Sequence, residues 1–382
     1  MTRIIITLLF LGLNVGFSQT IRVGIFSDKS IKEVEGIVGK GTYFVFKDTV
    51  QLAKLGPADV FKASYSGGMV RVVVNGVEKA KGKSIRLIQD KQEDYLQIRL
   101  IQPSSKQRSY EGDFDIEIRK EALNLVNDLD METYLEGVVE SEGGTGQKIN
   151  YYKAQAVISR TYAMKNWKKH KQNGYNLCDR VHCQAYLHHR SSSITIDSAV
   201  HQTRGLIMVD QSRELYPTFF HANCGGQTSE PQYIWNEEIP NLCSFKDTFC
   251  IRTQQAKWEK RIPKDQWTKY LVDKYHFPIQ DSVSFLLLQH FVQEQRAAFY
   301  LHPVYGIPLR DLREQFKLKS TFFDAKIVGE EVVLSGRGFG HGVGLCQEGA
   351  MNMAKKGYTF DQILGYYYPQ MKLIDRKEFI YK

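Results

Sequence analysis

The spacing of hydrophobic residues changes once along this chain, and the change limits which folds the chain can form. Through the first 120 residues, apolar and polar residues alternate in short runs over 21–25, 70–74, 85–88, 96–100 and 114–118. A period of two is typical of β-strands with one buried face. Asn75-Gly76 separates two apolar runs and predicts a hairpin turn. We therefore expect residues 20–105 to form a small β-rich module.

After Asp128 the spacing becomes helical, which predicts one helix over 130–139 and a second from about Asn150. The later segments predict strands over 205–223, helices over 264–275 and 309–316, a hairpin over 283–301, and helices over 345–356 and 360–367. Thr359 and Gln362 have the spacing of a capping box. We predict an α+β fold: a mixed domain over 106–375, with a substrate cleft between its helical and β-rich parts, preceded by the N-terminal module.

The start of the chain has the features of a secretory signal peptide. Arg3 precedes an uncharged apolar run from Ile4 to Phe17, and small residues follow. We expect cleavage near Ser18 or Gln19, so that residues 1–19 are removed and the protein is exported to the periplasm or cell envelope. An uncleaved membrane anchor is the alternative, but the run is short for a bilayer span. No later run predicts a transmembrane segment.

The formal net charge is +9, and the basic residues are scattered except over 165–171. Export argues against nucleic acid as a partner and leaves lipid head groups or an anionic polymer. The chain has six cysteines, an even number that suggests disulfides in an exported protein. Cys243 and Cys250 are close enough in sequence to close a small loop.

Glu142 occupies a position suited to acid/base chemistry. It lies where the first predicted helix gives way to Gly143-Gly144, so a helix positions the carboxyl while a flexible turn leaves it open to a ligand. Partial burial would raise its pKa. The simpler interpretation is a solvated helix end. The second helix carries Gln155 and Arg160 beside a face of small residues, which favours a packed scaffold helix.

Three potential soft-metal ligands fall within six residues: Cys178, His182 and Cys183. They suit zinc, and His170 or His221 could supply a fourth ligand. A Cys178–Cys183 disulfide is an equally good interpretation.

Glycine recurs at every second position from Gly336 to Gly344. If this segment is an extended strand, all five glycines share one face, which another backbone or a sugar ring can approach closely. His341 then points the other way. The spacing is neither the dinucleotide fingerprint nor a phosphate loop.

Several segments, taken in order, resemble the SpoIID/LytB family, named for a sporulation protein and an amidase enhancer. The resemblance rests on the segments 110–112, 134–142, 154–156, 160–162, 184–186, 225–228, 338–350 and 367–369, together with His221. It covers roughly 270 of the 382 residues. The sequence departs from the family's pattern at Gly143-Gly144.

The resemblance implies a lytic transglycosylase that cleaves peptidoglycan glycan strands, in the best-known members strands stripped of stem peptides. A single carboxyl protonates the glycosidic oxygen and then takes the proton of the 6-hydroxyl of N-acetylmuramic acid, which closes a 1,6-anhydro ring. The family's catalytic glutamate corresponds to Glu142, with Glu140 as the nearby alternative. The substrate-binding residues implied are Gln155, Arg160, Gln184, Tyr186, His341 and Gln347.

No cofactor is implied for every family member, although some bind a structural zinc through residues resembling Cys178, His182 and Cys183. A cell-wall amidase is an implied partner. Two other functions remain open: a non-catalytic wall-binding or amidase-enhancing protein, and a zinc hydrolase using His182, His341 and the cysteines.

Overall fold

A computed structural model describes residues 19–187 and 193–380 of the chain. The predicted signal peptide, apart from Gln19, therefore lies outside the described residues. The chain divides into two compact units. The first runs up to Tyr134 and includes Lys171–Cys178; the second comprises Leu135–His170 and Asp179–Lys382. Both helices and sheets are present, which confirms the predicted α+β class.

The first unit is built from two mainly antiparallel sheets. Its strands are β1 (Thr20–Gly24), β2 (Glu33–Lys40), β3 (Tyr43–Lys47), β4 (Val50–Leu55), β5 (Val60–Ser66), β6 (Met69–Val74), β7 (Val77–Gly82), β8 (Ser84–Gln89), β9 (Tyr95–Gln102), β10 (Arg108–Glu111), β11 (Asp113–Arg119), β12 (Ala122–Asp130) and β13 (Leu177–Cys178). One sheet has the order β13-β1-β12-β11-β8-β3-β4 and the other β10-β9-β2-β5-β6-β7.

The buried faces of these two sheets form the core of the first unit. Val34, Phe61 and Ile98 from one sheet and Leu87 and Phe114 from the other line the same small apolar space. The alternation of apolar residues along each strand produces this face, because successive side chains of a strand point to opposite sides.

The predicted hairpin is confirmed. Asn75 and Gly76 have φ values of +48° and +80°, and they connect β6 to β7 with Val74 opposite Val77. Two consecutive positive φ angles are the reason that Asn-Gly is favoured in this turn.

The sheets of the first unit continue beyond the predicted end of the N-terminal module. Residue 105 falls between β9 and β10, which pair with each other, and β12 occupies an inner position of the seven-stranded sheet. The first stretch of the unit runs to Tyr134, and Lys171–Cys178 adds to it.

The second unit contains most of the helices. These are α1 (Met131–Gly143, from Leu135 onward), α2 (Ile149–Lys165), α3 (Ile194–Gln202), α4 (Gln232–Trp235), α5 (Lys264–Tyr275), α6 (Ser282–Gln289), α7 (Leu309–Gln315), α8 (Gln347–Lys355), α9 (Phe360–Tyr367) and α10 (Arg376–Ile380). Short 3-10 turns lie at Lys171–Asn173, in the first unit, and Pro303–Tyr305. The structure confirms the helices predicted at 264–275 and 360–367, including the Thr359–Gln362 capping box.

Three small sheets complete the second unit. The strands are β14 (Leu206–Val209), β15 (Phe220–His221), β16 (Lys257–Pro263), β17 (His290–Phe291), β18 (Phe323–Val328), β19 (Glu331–Arg337), β20 (Leu345–Cys346) and β21 (Lys372–Asp375). β14 pairs with β21 and β15 with β20, and β16-β19-β18-β17 form a four-stranded sheet.

Helix α2 lies at the centre of this unit. It contacts α3, β14, α8 and α9, and eleven of its seventeen residues are buried. Small side chains such as Ala154, Ala156 and Ser159 allow that close approach on several sides.

The segment predicted as a hairpin over 283–301 begins instead with helix α6. Asp281 caps this helix by accepting a hydrogen bond from the Ser284 amide at 2.7 Å, and only the short strand β17 follows. A short apolar run is compatible with either a strand or a buried helix, and here the N-cap residue Asp281 favours the helix.

A second hydrophobic cluster packs α5 and α7 against the four-stranded sheet. Trp267 is fully buried, stacks on Phe316 at 4.8 Å between ring centroids and meets Tyr300 edge-on at 5.5 Å.

We predict that Trp267→Ala lowers the free energy of unfolding by about 3–5 kcal/mol, because it removes a large buried ring and leaves a cavity. Trp235→Ala is the matched control, since Trp235 is 39% exposed, and a much smaller loss is expected. Urea unfolding followed by circular dichroism measures both. Equal losses for the two variants would contradict the assigned core.

Candidate functional site

Glu142 is the penultimate residue of α1. The chain leaves the helix through Gly144 and Gly146, whose φ values are +64° and +81°. Tyr152 fastens this turn, because its hydroxyl donates to the Gly144 carbonyl at 2.8 Å and accepts from the Gln147 amide at 3.0 Å. A carboxyl at the C-terminal end of a helix faces the negative end of the helix dipole, which disfavours its ionised form.

The Glu142 carboxyl is half-buried and accepts one hydrogen bond, from the Ala185 amide to Oε1 at 2.7 Å. Burial raises the pKa of this carboxyl, and the Ala185 hydrogen bond opposes the rise. Within residues 19–187 and 193–380, no arginine or lysine forms an ion pair with it. A carboxyl held in this way is suited to donate a proton.

The segment that supplies the Ala185 amide is tied to α1 and α2. The buried Gln184 side chain donates from Nε2 to the Ser159 carbonyl at 3.2 Å. The Leu187 amide donates to Ser141 Oγ at 3.1 Å. Gln184 therefore fixes the position of the amide that binds Glu142.

A second buried amide group approaches Glu142 from α8. Gln347 Nε2 lies 3.3 Å from the Glu142 carbonyl and 3.4 Å from Gln155 Oε1. Gln155 in turn donates to Ser159 Oγ at 3.1 Å and accepts from the Tyr151 hydroxyl at 3.4 Å. These contacts join α1, α2 and α8 through uncharged groups.

Five of the six predicted substrate-binding residues are buried: Gln155, Arg160, Gln184, Tyr186 and Gln347. Arg160, for example, donates from Nη1 to the Leu206 carbonyl at 3.0 Å. Their contacts are internal to the protein, which suits residues that position the site rather than touch a ligand. Their roles toward a substrate remain predictions.

His341 belongs to a separate aromatic group. Its ring centroid lies 5.3 Å from that of Trp235, 5.5 Å from that of His221 and 6.4 Å from that of Phe219. Burial and the positive charge of Arg313 lower its pKa to about 4. Its Nδ1 accepts from the Val343 amide at 3.1 Å. His341 is therefore neutral at physiological pH.

His221 is also neutral, because burial lowers its pKa well below the usual value. It donates from Nδ1 to the Val343 carbonyl at 3.1 Å, and within the described chain its buried Nε2 has no hydrogen-bond partner. No hydrogen bond among the described residues joins His341 to Glu142 or to the amides around it. The sequence alone did not identify Trp235 and Phe219 as residues of this group. The only signal for them was a large aromatic side chain beside a short loop.

The expected glycine strand is wrong. Strand β19 ends at Arg337, and Gly338, Gly340, Gly342 and Gly344 all have positive φ. The segment is a loop that lies on the backbone of residues 219–225. A Cβ on Gly344 would lie 2.1 Å from the Phe219 carbonyl oxygen, for example. The glycines therefore permit the close approach of another backbone, although in a conformation that only glycine adopts readily.

Within the second unit, the predicted zinc ligands His182 and Cys183 lie beside another possible donor, His170. Cys183 Sγ is 3.3 Å from His170 Nε2 and 3.9 Å from His182 Nδ1. Two imidazoles and a thiol suit zinc chemically. Cys178 is the last residue of β13 in the first unit, and none of the six cysteines, all of them described, forms a disulfide. His341 joins no group of potential metal ligands in the described residues, so a zinc hydrolase using it finds no support.

A search of the described residues for helices long and apolar enough to cross a membrane finds none.

One family model and several known proteins match part of this chain. A family model described as "Stage II sporulation protein" matches residues 119–209. Stage II sporulation protein D of Bacillus subtilis is 28% identical over 287 residues, covering 70% of this chain and 81% of its own. A protein of Brachyspira hyodysenteriae is 27% identical over 260 residues, 67% of this chain and 69% of its own.

The amidase enhancer of Bacillus subtilis is 25% identical over 288 residues, which cover 62% of this chain and 39% of the enhancer. The range matched by the family model, residues 119–209, includes helices α1 and α2 and the segment around Gln184. Together with the ordered motifs of the sequence, these matches support the resemblance of the chain to the SpoIID/LytB family.

Proposed function

We propose that this protein is an exported enzyme of the bacterial cell wall that cleaves peptidoglycan glycan strands by lytic transglycosylation. The names of its relatives, a sporulation protein and an amidase enhancer, support the coarser statement that its function concerns the cell wall. The finer activity is proposed from Glu142.

The observation that carries this proposal is the environment of Glu142. Its carboxyl is half-buried, has a raised pKa and, among the described residues, accepts one hydrogen bond, from the Ala185 amide. Ordinary glycosidases need two carboxyl groups, one as acid and one as base or nucleophile. An intramolecular attack by a sugar hydroxyl needs only one, because the same group can give a proton and then take one.

In the proposed reaction, protonated Glu142 gives its proton to the glycosidic oxygen as the bond to the N-acetylmuramic acid anomeric carbon breaks. The resulting carboxylate takes the proton of the 6-hydroxyl on the same sugar. That oxygen bonds to the anomeric carbon and forms a 1,6-anhydro ring. The Ala185 amide stabilises the carboxylate while it exists, since it donates to Oε1 at 2.7 Å.

The proposal gives the buried amides a positioning role. Gln184 holds the Ala185 segment, and Gln347 with Gln155 holds the end of α1. Because these groups carry no charge, burial is the main influence on the pKa of Glu142. Trp235 is 39% exposed, its ring centroid lies 4.5 Å from that of Phe219 and 5.3 Å from that of His341, and it offers an apolar face for a sugar ring.

A structural zinc at His182 and Cys183 is also part of the proposal, with His170 as a further ligand. It would fix the segment that leads into Gln184. It has no assigned step in the reaction.

Enhancement of a cell-wall amidase is the second candidate function, and the match to the amidase enhancer favours it. It requires wall binding but no cleavage. A variant without the Glu142 carboxyl separates the two functions.

We predict that Glu142→Gln lowers cleavage of peptide-stripped glycan by about 100- to 10,000-fold, because the amide can neither give nor take the proton. Mass spectrometry of released fragments measures the anhydro ends. Glu140→Gln is the control on the same helix and should retain activity. Cleavage by Glu142→Gln at the wild-type rate would refute the assigned role, and an unchanged stimulation of an amidase by that variant would favour the enhancer.

The raised pKa of Glu142 has a consequence for stability. A carboxyl whose folded pKa exceeds its unfolded value contributes stability below the unfolded pKa and loses it as pH rises through the folded pKa. Glu142→Gln should therefore gain stability relative to wild type between about pH 4 and pH 7. Urea midpoints at the two pH values measure this gain. A relative loss over the same interval would contradict the burial of the carboxyl.

The activity of the wild type should fall as the pH rises through the same interval, because only protonated Glu142 can act as the acid. A rate that increases with pH through this range would show that the group works only as a base.

We predict that Trp235→Ala weakens pelleting with purified glycan by about tenfold, because the sugar ring loses an aromatic face. Its unfolding midpoint should hardly change. Val304→Ala is a control at another exposed apolar position, 77% exposed, and should pellet as wild type does. Normal pelleting by Trp235→Ala would remove this ring from the proposed site.

A further inference from the structure

Four buried side chains outside the site of Glu142 converge on one point: Cys224, Asp247, Cys250 and Cys346. They come from three separate stretches of the second unit. Cys224 follows β15, Asp247 and Cys250 lie in the loop before β16, and Cys346 ends β20. The expectation that Cys243 and Cys250 close a small loop is wrong, because Cys243 is exposed and Cys250 is buried beside Cys224.

The distances within this group are those of metal ligands. Cys224 Sγ lies 3.2 Å from Cys250 Sγ and 3.3 Å from Asp247 Oδ2, and the four ligand atoms all lie within 4.8 Å of one another. A tetrahedral zinc with Zn–S bonds of about 2.3 Å and a Zn–O bond of about 2.0 Å places its ligands about 3.5–3.8 Å apart. Small movements of the side chains reach that geometry.

Hydrogen bonds from outside the group orient its members. Cys346 Sγ accepts from the amides of Cys224 at 3.3 Å and Gly349 at 3.4 Å. Asp247 accepts at Oδ2 from the Tyr367 hydroxyl at 2.9 Å. Such contacts fix ligand orientation in metal sites, and N–H donors stabilise thiolates. A thiolate–metal centre explains why sulfur atoms receive amide hydrogen bonds in this core.

Gly349 shows how tightly this point is packed. A Cβ there would lie 2.2 Å from the Tyr367 hydroxyl and 2.8 Å from Asp247 Oδ2. No side chain can replace the hydrogen at this position without moving a ligand or the group that orients it.

The charges around the group also favour a metal site. Arg296 is buried, and its guanidinium donates at 2.7 Å to the carbonyls of Cys224 and Gln227 and at 3.2 Å to Thr321 Oγ1. It forms no ion pair with a carboxylate among the described residues. A buried cation requires a nearby negative charge. Three thiolates and one carboxylate around a divalent metal carry a net charge of −2, which supplies it.

We propose that Cys224, Asp247, Cys250 and Cys346 bind one zinc ion as a closed structural site. All four positions of a tetrahedron are then filled by protein, which leaves no position for water and excludes a catalytic metal. The site joins three loops. Cys346 caps α8, and the next residue, Gln347, contacts the Glu142 carbonyl, so the metal fixes one support of that segment.

The test uses the full chain carrying His170→Ala and Cys183→Ala, which removes two of the four potential ligands of the other group and leaves too few for a closed zinc site. The protein is purified under reducing conditions and loaded with zinc or cobalt(II). We expect one equivalent of bound zinc by mass spectrometry of metals. With cobalt we expect the intense visible bands of a tetrahedral ion and thiolate charge-transfer absorption in the near ultraviolet. Cys243→Ser, at the exposed cysteine, should change neither.

Cys346→Ser should lose the bound metal. Asp247→Cys is a second variant, for which the expected result is an increase in absorption rather than a loss of metal. A fourth thiolate should retain the metal and increase the charge-transfer absorption by about a third, in proportion to the number of Co–S bonds. The proposal is overturned if the folded parent protein binds no zinc, if Asp247→Cys leaves the cobalt spectrum unchanged, or if peptide mapping finds a Cys224–Cys250 disulfide in metal-free folded protein.

Discussion

The close packing of two backbone segments, residues 338–344 and 219–225, is the constraint on which the polar centre of the second unit depends. A Cβ on Gly338 would lie 2.5 Å from the Asn223 carbonyl oxygen, and one on Gly344 would lie 2.1 Å from that of Phe219. The main chains therefore touch without intervening side chains. The amide of Phe339 donates to the Asn223 carbonyl, and the amide of Asn223 donates to the Phe339 carbonyl, at 2.8 and 3.0 Å.

This packing places several functional groups relative to one another. His341 and His221 project from the two segments into one aromatic group, with ring centroids 5.5 Å apart. Cys224 lies near the end of one segment, Cys346 lies two residues beyond the other, and the two meet in the proposed zinc site. Gln347 follows directly and reaches the end of α1. A change in the glycine loop would therefore affect the aromatic group, the cysteine group and the support of Glu142 together.

Among the residues that the structure describes, no charged side chain forms an ion pair with Glu142. The groups that bind its carboxyl or its backbone are amides, from Ala185 and Gln347. An arginine or lysine in their place would lower the pKa of the carboxyl and would weaken it as an acid. Neutral positioning groups and partial burial together suit this carboxyl to the proposed role, in which one group acts as both acid and base.

Local signals predicted much of the fold. The Asn75-Gly76 turn requires positive φ angles that these residues tolerate, and the Thr359–Gln362 capping box satisfies backbone donors within one helical turn. Both depend on neighbours in sequence. The hairpin predicted over 283–301 is wrong, because a short apolar run has no period that distinguishes a strand from a helix.

The glycine loop and the cysteine group depend on contacts between distant parts of the chain, so local patterns could not establish them. Alternating glycines fit a strand as well as a loop with four positive φ angles, and only the segment 219–225 distinguishes the two. For Glu142, the motif placed the residue correctly at a helix end. Its burial and its Ala185 partner, 43 positions away in sequence, required the structure.

The central claim is that the glycan strand is opened by its own 6-hydroxyl rather than by water. Digestion of peptide-stripped glycan in water enriched with heavy oxygen tests it most directly. We predict new 1,6-anhydro ends, whose mass is that of a hydrolysed end minus one water molecule and which contain no heavy oxygen from the solvent. New reducing ends that contain the label, or no new ends at all, would contradict it.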